Sequence, residues 1–371
     1  MSWSTSWLPF DGVKVLVTNN SHFDSSRTGT GDVAVVECQD DCSCLWDGYV
    51  RKWKGTYCHL YGWKRVLAQA YGLKMCYLSF RAGSDWLGLL PAAVLPRFPG
   101  GQKKAVSLAF CNYGGLLCSP EAEKESLKAR ALQHLAQKGI RQVEFRDIST
   151  EPAATEEVTM VLSLPDSPEL LWKQIGSKVR NQIQKARQSG LTIRWGTDQG
   201  DILYTIYAKN MGRLGTPVHS FRFVRETLDA FPDHVDVLTV QHAGKAIGGM
   251  LLFREPDRWS NPLASCLSEF NSLNPNMLLY WEALRAASQA GAQSFDFGRS
   301  RKKSGTYNFK KQWGTKEVPL DYHCCRNTVR DAKTATAFYR SPKAALLADI
   351  WRKLPFPLQV HLGPMVRRWM P

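Results

Sequence analysis

No stretch of this 371-residue chain approaches the roughly 18 consecutive apolar residues that a membrane-spanning helix needs. No CxxC pair occurs, and Cys38, Cys42 and Cys44 sit at spacings of four and two that match no common zinc pattern. No metal is therefore expected. The opening MSWSTSWLPFDGVK has neither a basic n-region nor an apolar h-region, so no signal peptide is expected and the cytoplasm is the expected location. In that compartment the ten cysteines, the adjacent Cys324 and Cys325 included, are expected as reduced thiols packed like small hydrophobes.

Acidic residues are scarce where basic ones are dense. The chain has 48 Lys and Arg against 33 Asp and Glu, a formal charge of +15. Between Glu169 and Asp198 lie six basic residues and no acid; between Asp296 and Glu317 lie seven and no acid. Such windows suit an anionic partner, whether a phosphate-bearing donor, tRNA, a nucleotide sugar or a membrane surface. Charge alone does not choose among them.

What is present is an ordered alternation of helices and strands. Trp63, Val66, Leu67 and Ala70 recur at helical spacing and Gly72 stands at the C-cap. A hairpin turning at Ala82-Gly83, a strand over 106–110, the loop Asn112-Tyr113-Gly114-Gly115, a helix to Lys138, Gly139 and a strand from Gln142 follow. The order then recurs: a helix over 221–230, a hairpin at Ala243-Gly244, a strand over 264–270, a helix capped by Asn274 from Pro275 to Ala290, Gly291 and a strand over 294–297. This reads as a duplicated α/β unit. Between the copies, Ser167 caps a helix with Pro168 at its first position, and the apolar stripe Leu171, Ile175, Val179 and Ile183 carries it on to Gly190. The tail from Trp351 mixes aromatic and basic residues in a way that suits a membrane surface. Prolines 355, 357 and 364 forbid one long amphipathic helix, so the tail is expected to pack back on the core.

The residues that carry chemistry cluster around FDFGRSRKKSGTYNFKKQWG, 295–314. A strand that runs into clustered positive charge suits a group that is, or becomes, anionic. Lys310 and Arg299 are the candidates for stabilising that charge. Asp296, at the end of the strand, either takes or orients an amine proton or forms a salt bridge to an arginine. Lys178, Arg180 and Arg213 are candidate phosphate or substrate contacts. Asn112 and Tyr113 either cradle a ligand or form a tight turn, and Tyr307 and Trp313 either stack on a ring or pack in the core. His59 reads as a satisfied structural histidine.

CNYGG at 111–115, SKVRNQIQKA at 177–186, NMGRLGTP at 210–217, FDFGRS at 295–300 and GTYNFKKQWG at 305–314, with WRKLPFPLQVHLGP at 351–364, together resemble the FemAB-like proteins associated with the exosortase/PEP-CTERM system. The resemblance runs from about Trp46 to the C-terminus. It implies an α/β fold of two tandem GNAT-like acyltransferase domains, here 1–155 and 156–330, with a tail from 331 to 371. It also implies an acyl- or aminoacyltransferase that forms an amide on a cell-envelope or exopolysaccharide precursor. Its donor would be an aminoacyl-tRNA or acyl-CoA cosubstrate rather than a resident cofactor. Phe309-Lys310 matches the FK motif of the Fem enzymes, and Lys178 and Arg180 match the basic helix that begins their second domain. Implied partners are an anionic envelope precursor, tRNA, and a membrane touched at the tail.

Two departures matter. The segment Asn271-Ser272-Leu273-Asn274-Pro275-Asn276 stands where acetyl-CoA enzymes carry a glycine-rich pyrophosphate loop, and it has no glycine. No coiled-coil arm for tRNA is evident. The competing readings are an acyl-CoA-dependent N-acetyltransferase and a non-catalytic module that holds an anionic glycan or lipid-linked precursor.

Overall fold

A computed structural model describes residues 9–10, 13–14, 33–96, 102–149, 156–326, 329–330 and 342–370. Two short strands, Pro9–Phe10 (β1) and Val13–Lys14 (β2), pair with each other. The first half then runs Ala34–Glu37 (β3), Ser43–Lys52 (α1), Trp63–Tyr71 (α2), Lys74–Ala82 (β4), Asp85–Val94 (β5), Lys104–Ser107 (β6), Leu117–Cys118 (β7), Lys124–Gln137 (α3) and Gln142–Ile148 (β8). The second half runs Glu157–Ser163 (β9), Pro168–Gln174 (α4), Ser177–Gln188 (α5), Thr192–Trp195 (β10), Gly200–Leu214 (α6), Phe221–Ala230 (α7), Val235–His242 (β11), Lys245–Arg254 (β12) and Arg258–Cys266 (β13). Pro275–Gln289 (α8), Ser294–Arg301 (β14), Gly305–Lys311 (α9), Lys316–Arg326 (β15) and Val329–Arg330 (β16) complete it. Pro342–Lys353 (α10) and Phe356–Arg367 (α11) form the tail.

The strands join into one sheet in the order β10-β11-β12-β13-β14-β9-β15-β8-β6-β5-β4-β3. Each half repeats one pattern: three antiparallel pairings, then a parallel step made by the strand that follows a long helix. That step is β6 to β8 in the first half and β13 to β14 in the second. The halves exchange their terminal strands. β9, which follows β8 in the chain, pairs with β14, and β15, which follows β14, pairs with β8 over Leu320–Arg326 and with β9 over Lys316–Pro319. The junction is thus hydrogen-bonded backbone rather than a loose domain contact.

Three expectations change. The helix from Ser167 breaks at Ile175-Gly176, both extended, because glycine is a poor helix former and Arg180 Nη1 takes the last carbonyls of α4 at Trp172, Lys173 and Ile175 (3.2, 3.3 and 2.6 Å). Asn274 does not cap α8 with its side chain; it takes a left-handed conformation, φ 57°. The GTYNFKK run is helix α9, capped by Ser304, and 316–326, to which the sequence reading assigns no element, is β15.

Helices cover both faces of the sheet over apolar cores. One core gathers Trp46, Tyr57, Trp63, Tyr77, Phe223, Phe253 and Leu320, residues from both halves. A second, within the second half, gathers Phe295, Phe297, Leu279, Trp281 and Trp313. The tail helices pack on α6. Gln359 Nε2 donates to Trp351 O and Leu354 O (2.9 and 3.0 Å), and Gly363 lies so close to Val218 that a Cβ would stand 2.8 Å from it.

Candidate active site at the junction of the two halves

β14 is the strand on which the site is built. Asp296 pairs with Val161 and Arg299 with Thr159, so two residues, Phe297 and Gly298, bulge from the ladder against one on β9. Gly298 has φ 76°, and a Cβ there would come within 2.9 Å of Asn112 Nδ2. Only glycine takes that conformation without strain and leaves room for the asparagine.

Two buried charges hold the bulge from opposite sides. Asp296, 1% exposed, accepts hydrogen bonds from Thr159 Oγ1 (2.5 Å), the Gly298 N–H (2.7 Å) and the hydroxyl of Tyr113 from the first half. Burial penalises the nearby Arg258 guanidinium, but Tyr113 and Asp296 outweigh that and raise its pKa. On the other side Lys310 Nζ donates to Gly298 O and Arg299 O, both at 2.9 Å. Burial pulls the Lys310 pKa down to about 8 against the opposing pull of Asp296. Asp296 makes no salt bridge to Arg299, and its carboxylate already has three donors. The carboxylate is thus buried behind the cavity and held by protein donors.

The bulge sends Arg299 into a cavity of about 270 Å³ between the halves. The first half contributes Trp63, Phe110, Cys111, Asn112 and Arg146; the second contributes Tyr207, His219, Phe223, Leu263 and Arg299; α11 contributes Arg367. Three arginines and no carboxylate line it. Tyr322 of β15 sits under two of them, with the guanidinium carbons of Arg146 and Arg299 5.4 and 5.8 Å from its ring centre. Its hydroxyl donates to Asn112 O.

Arg146 is held in place by Glu144 Oε1 (2.8 Å) and Cys111 O (3.3 Å). Burial would raise the Glu144 pKa, but Arg146 and Lys104 bring it down to about 2. Arg367 lies over Phe110 at 5.9 Å, and its Nε is buried without a hydrogen-bond partner. Burial, with Arg367 adding to it, holds the His219 imidazole neutral, well below its usual range. His219 Nδ1 is 2.5 Å from the Tyr71 hydroxyl. Burial pushes the Cys111 thiol well above its usual value, so it is a poor nucleophile.

The wall next to Asn112 is strained backbone. Leu108 and Phe110 are non-glycine residues at φ 44° and 67°. Gly114 and Gly115 that follow are packing glycines: a Cβ would stand 2.9 Å from Leu108 Cβ at the first and 2.0 Å from Asp147 Oδ1 at the second.

The candidates named from sequence therefore separate. Asn112 and Arg299 line the cavity, with Tyr113, Asp296 and Lys310 buried behind it. Arg180 caps α4, Lys178 is exposed on α5, and exposed Arg213 bonds Asn210 Oδ1 (3.1 Å). None of these three lines the cavity. Trp313, 1% exposed, packs with Phe297, Tyr280 and Phe309, and buried Tyr307 donates to Glu317. Of the two readings both thus take core packing: α9 turns Tyr307 inward, and the turn that follows α9 does the same for Trp313. Arg146, His219 and Arg367 were missed. Arg146 stands in a strand next to Glu144 and reads as an ordinary ion pair, and Arg367 lies more than 50 residues beyond the 295–314 cluster.

A second hollow of about 250 Å³ opens at the N-terminus of α8, lined by Gln182, Asn271, Asn274, Asn276, Phe309 and Gln312, with no charged side chain. Among the described residues no group of three or more His, Cys, Asp or Glu is arranged to hold a metal ion.

Residues 175–311 match the family model described as an acetyltransferase (GNAT) domain. No curated protein matches the chain by sequence. The fold resembles the crystal structure of FemX (12% identity, TM-score 0.61, 83% of this chain and 99% of that one). It resembles L-PGS from Bacillus licheniformis (11%, 0.53, 86% and 98%) and a tandem GNAT protein from the clavulanic acid biosynthesis pathway (11%, 0.50, 81% and 100%). The mixed α/β architecture expected from the duplicated sequence is thus a GNAT-like fold, and residues 175–311 match the GNAT domain model within it.

Proposed function

We propose that the chain transfers an acyl or aminoacyl group to an amine of an anionic cell-envelope or exopolysaccharide precursor, bound in the cavity between the halves. The observation that carries this reading is the lining of that cavity: Arg146, Arg299 and Arg367 over an aromatic floor, with no carboxylate. Arg146 is paired with Glu144 behind the wall and Arg299 lies 3.9 Å from Glu157, so the positive charge that an anion would meet is greatest at Arg367. The unpartnered Arg367 Nε is a donor such an anion would satisfy.

In this reading Arg299 touches substrate and stabilises the oxyanion that develops as the amine attacks the acyl carbon. His219, whose protonated form burial and Arg367 both disfavour, is a poor base; the intermediate collapses with loss of the CoA thiolate or the tRNA ribose oxygen, which takes up the proton the amine loses, directly or through solvent. Asp296, Tyr113 and Lys310 are positioning residues: they fix the bulge that aims Arg299. The donor is an acyl-CoA or an aminoacyl-tRNA. The hollow at the start of α8 suits a donor's polar portion through its side-chain amides, without the glycine approach of a conventional pyrophosphate loop.

The test is native mass spectrometry of the full chain against CoA thioesters, charged tRNA and nucleotide sugars, followed by turnover with whichever pair binds. Binding of a donor and an anionic amine, with transfer reduced in Arg299→Ala, supports the reading. Tight binding of an anion with no transfer from any donor would favour the holding module instead.

A further inference from the structure

Among the described residues eleven large apolar side chains are exposed, and seven of them lie on the two tail helices. Leu346, Leu347 and Ile350 stand on α10, 52–61% exposed; Phe356, Leu358, Met365 and Val366 stand on α11. Soluble proteins rarely gather so much apolar surface in one short stretch without a partner for it. These helices are not loose ends. Ala348 O lies where a Cβ on Gly215 would come within 2.5 Å, Gln359 pins the α10–α11 corner, and Gly363 closes on Val218. The inner faces are used, and the outer faces are left apolar.

Besides the cavity's Arg367, the same stretch, 342–370, holds Lys343, Arg352, Lys353 and Arg368 against a single acid, Asp349, which pairs with Arg352. We propose that the α10–α11 pair is a docking face for an anionic lipid surface. Apolar side chains enter the acyl boundary while the basic residues meet the headgroups, the pattern of helices that lie in the interface plane. Each helix has 12 residues, and no helix of the described residues is long and apolar enough to cross a membrane. A second copy of this chain is the poorer occupant, because a self-complementary contact would set one basic face against another.

The position of Arg367 gives the docking a purpose. It lines the cavity, while its neighbours Met365 and Val366 face outward. The docked face would thus lie beside the cavity, and its substrate would be an anionic headgroup or lipid-linked phosphate presented by the same surface. That last clause rests on the function proposed above; the docking itself does not.

The experiment is flotation of the full chain with vesicles of phosphatidylcholine alone and with about 30% phosphatidylglycerol. The expected result is binding to the anionic vesicles at least about tenfold tighter than to the neutral ones, weakening with salt. Leu346→Asp/Leu347→Asp/Ile350→Asp should lose about tenfold in binding with the cooperative unfolding transition retained, since these side chains are more than half exposed. Arg352→Gln/Lys353→Gln should weaken binding to anionic vesicles alone. Absence of vesicle binding by the wild-type chain, or equal binding by the triple aspartate variant, would overturn the proposal. So would a wild-type dimer that ignores vesicles and dissociates in that variant, which would assign the face to self-association. Flotation needs no turnover, so a failed transferase assay leaves this result standing.

Discussion

Tyr113, in the first half, donates its hydroxyl proton to the carboxylate of Asp296, in the second, within a site closed to solvent. This bond ties the loop that carries Asn112 to the strand that carries Arg299, and with the Tyr322 hydroxyl on Asn112 O it fixes the cavity walls on top of the backbone pairing of β15 with β8 and β9. Tyr113→Phe keeps the ring and removes the donor. It should lower stability by ~1–3 kcal/mol, the cost of an unmatched buried acceptor, in urea unfolding. Asp296→Asn should cost less, because Thr159 and Tyr113 can rotate their hydroxyls. Unchanged stability in Tyr113→Phe would mean that the pair does not couple the halves.

Gly298→Ala tests the bulge. A side chain at φ 76°, against Asn112 Nδ2 at 2.9 Å, forces either the backbone or the asparagine to move. Destabilisation of ~1–3 kcal/mol is expected, with substrate binding weakened beyond what stability explains. An alanine variant with wild-type melting and binding would show that the bulge does not set the position of Arg299.

Lys310 gives a pH signature. Its pKa is about 8 in the folded chain, held down by burial, against 10.5 ordinarily. Between those values the unfolded chain keeps a proton that the folded chain has lost, so stability should rise with pH across that window. The full span is on the order of 3 kcal/mol. Lys310→Met should flatten the rise between pH 8 and 10.5 in unfolding titrations, while leaving Gly298 O and Arg299 O without their donor.

His59 gives the opposite limb. Burial, with Lys124 adding to it, lowers its pKa to about 4 from 6.5, and its Nδ1 accepts from the Thr56 N–H (3.1 Å) in a capping box. The neutral form is the folded one, so this contribution is present above pH 6.5 and is lost as the pH falls toward 4, again on the order of 3 kcal/mol. His59→Asn keeps an acceptor for Thr56 and should make acid unfolding less steep over that window.

Arg299→Ala should lower kcat/KM by about 10²-fold, with Arg299→Lys recovering part of it, since lysine keeps the charge but not the planar fork. Lys178→Ala and Arg213→Ala, on exposed helix surfaces away from the cavity, should leave it unchanged. Equal losses at all three positions would point to a diffuse basic surface rather than a built site.

Much of the architecture was legible in the chain because it is written in local signals. The Gly72 C-cap, the hairpin turns at Gly83 and Gly244, and the Pro275 start of α8 each depend on a few adjacent residues, and they appear where expected. The duplicated order of elements follows from them. The site was legible in part. Asn112 and Arg299 belong to motifs whose glycines and charges stand out, and both line the cavity. Lys178, Arg180 and Arg213 stood out for the same reason, but a basic residue looks alike in sequence whether it faces solvent, a helix end or a ligand.

What the sequence by itself determined, then, is the set of elements and the two acid-poor windows, because capping, periodicity and charge are properties of neighbours in the chain. Only the tertiary structure decided that β9 and β15 are exchanged between the halves, since strand pairing joins residues more than 150 positions apart. It also decided that Trp313 is core and that Arg146, Arg299 and Arg367 share one cavity. Burial and electrostatic company depend on which surfaces meet, and no local pattern records that.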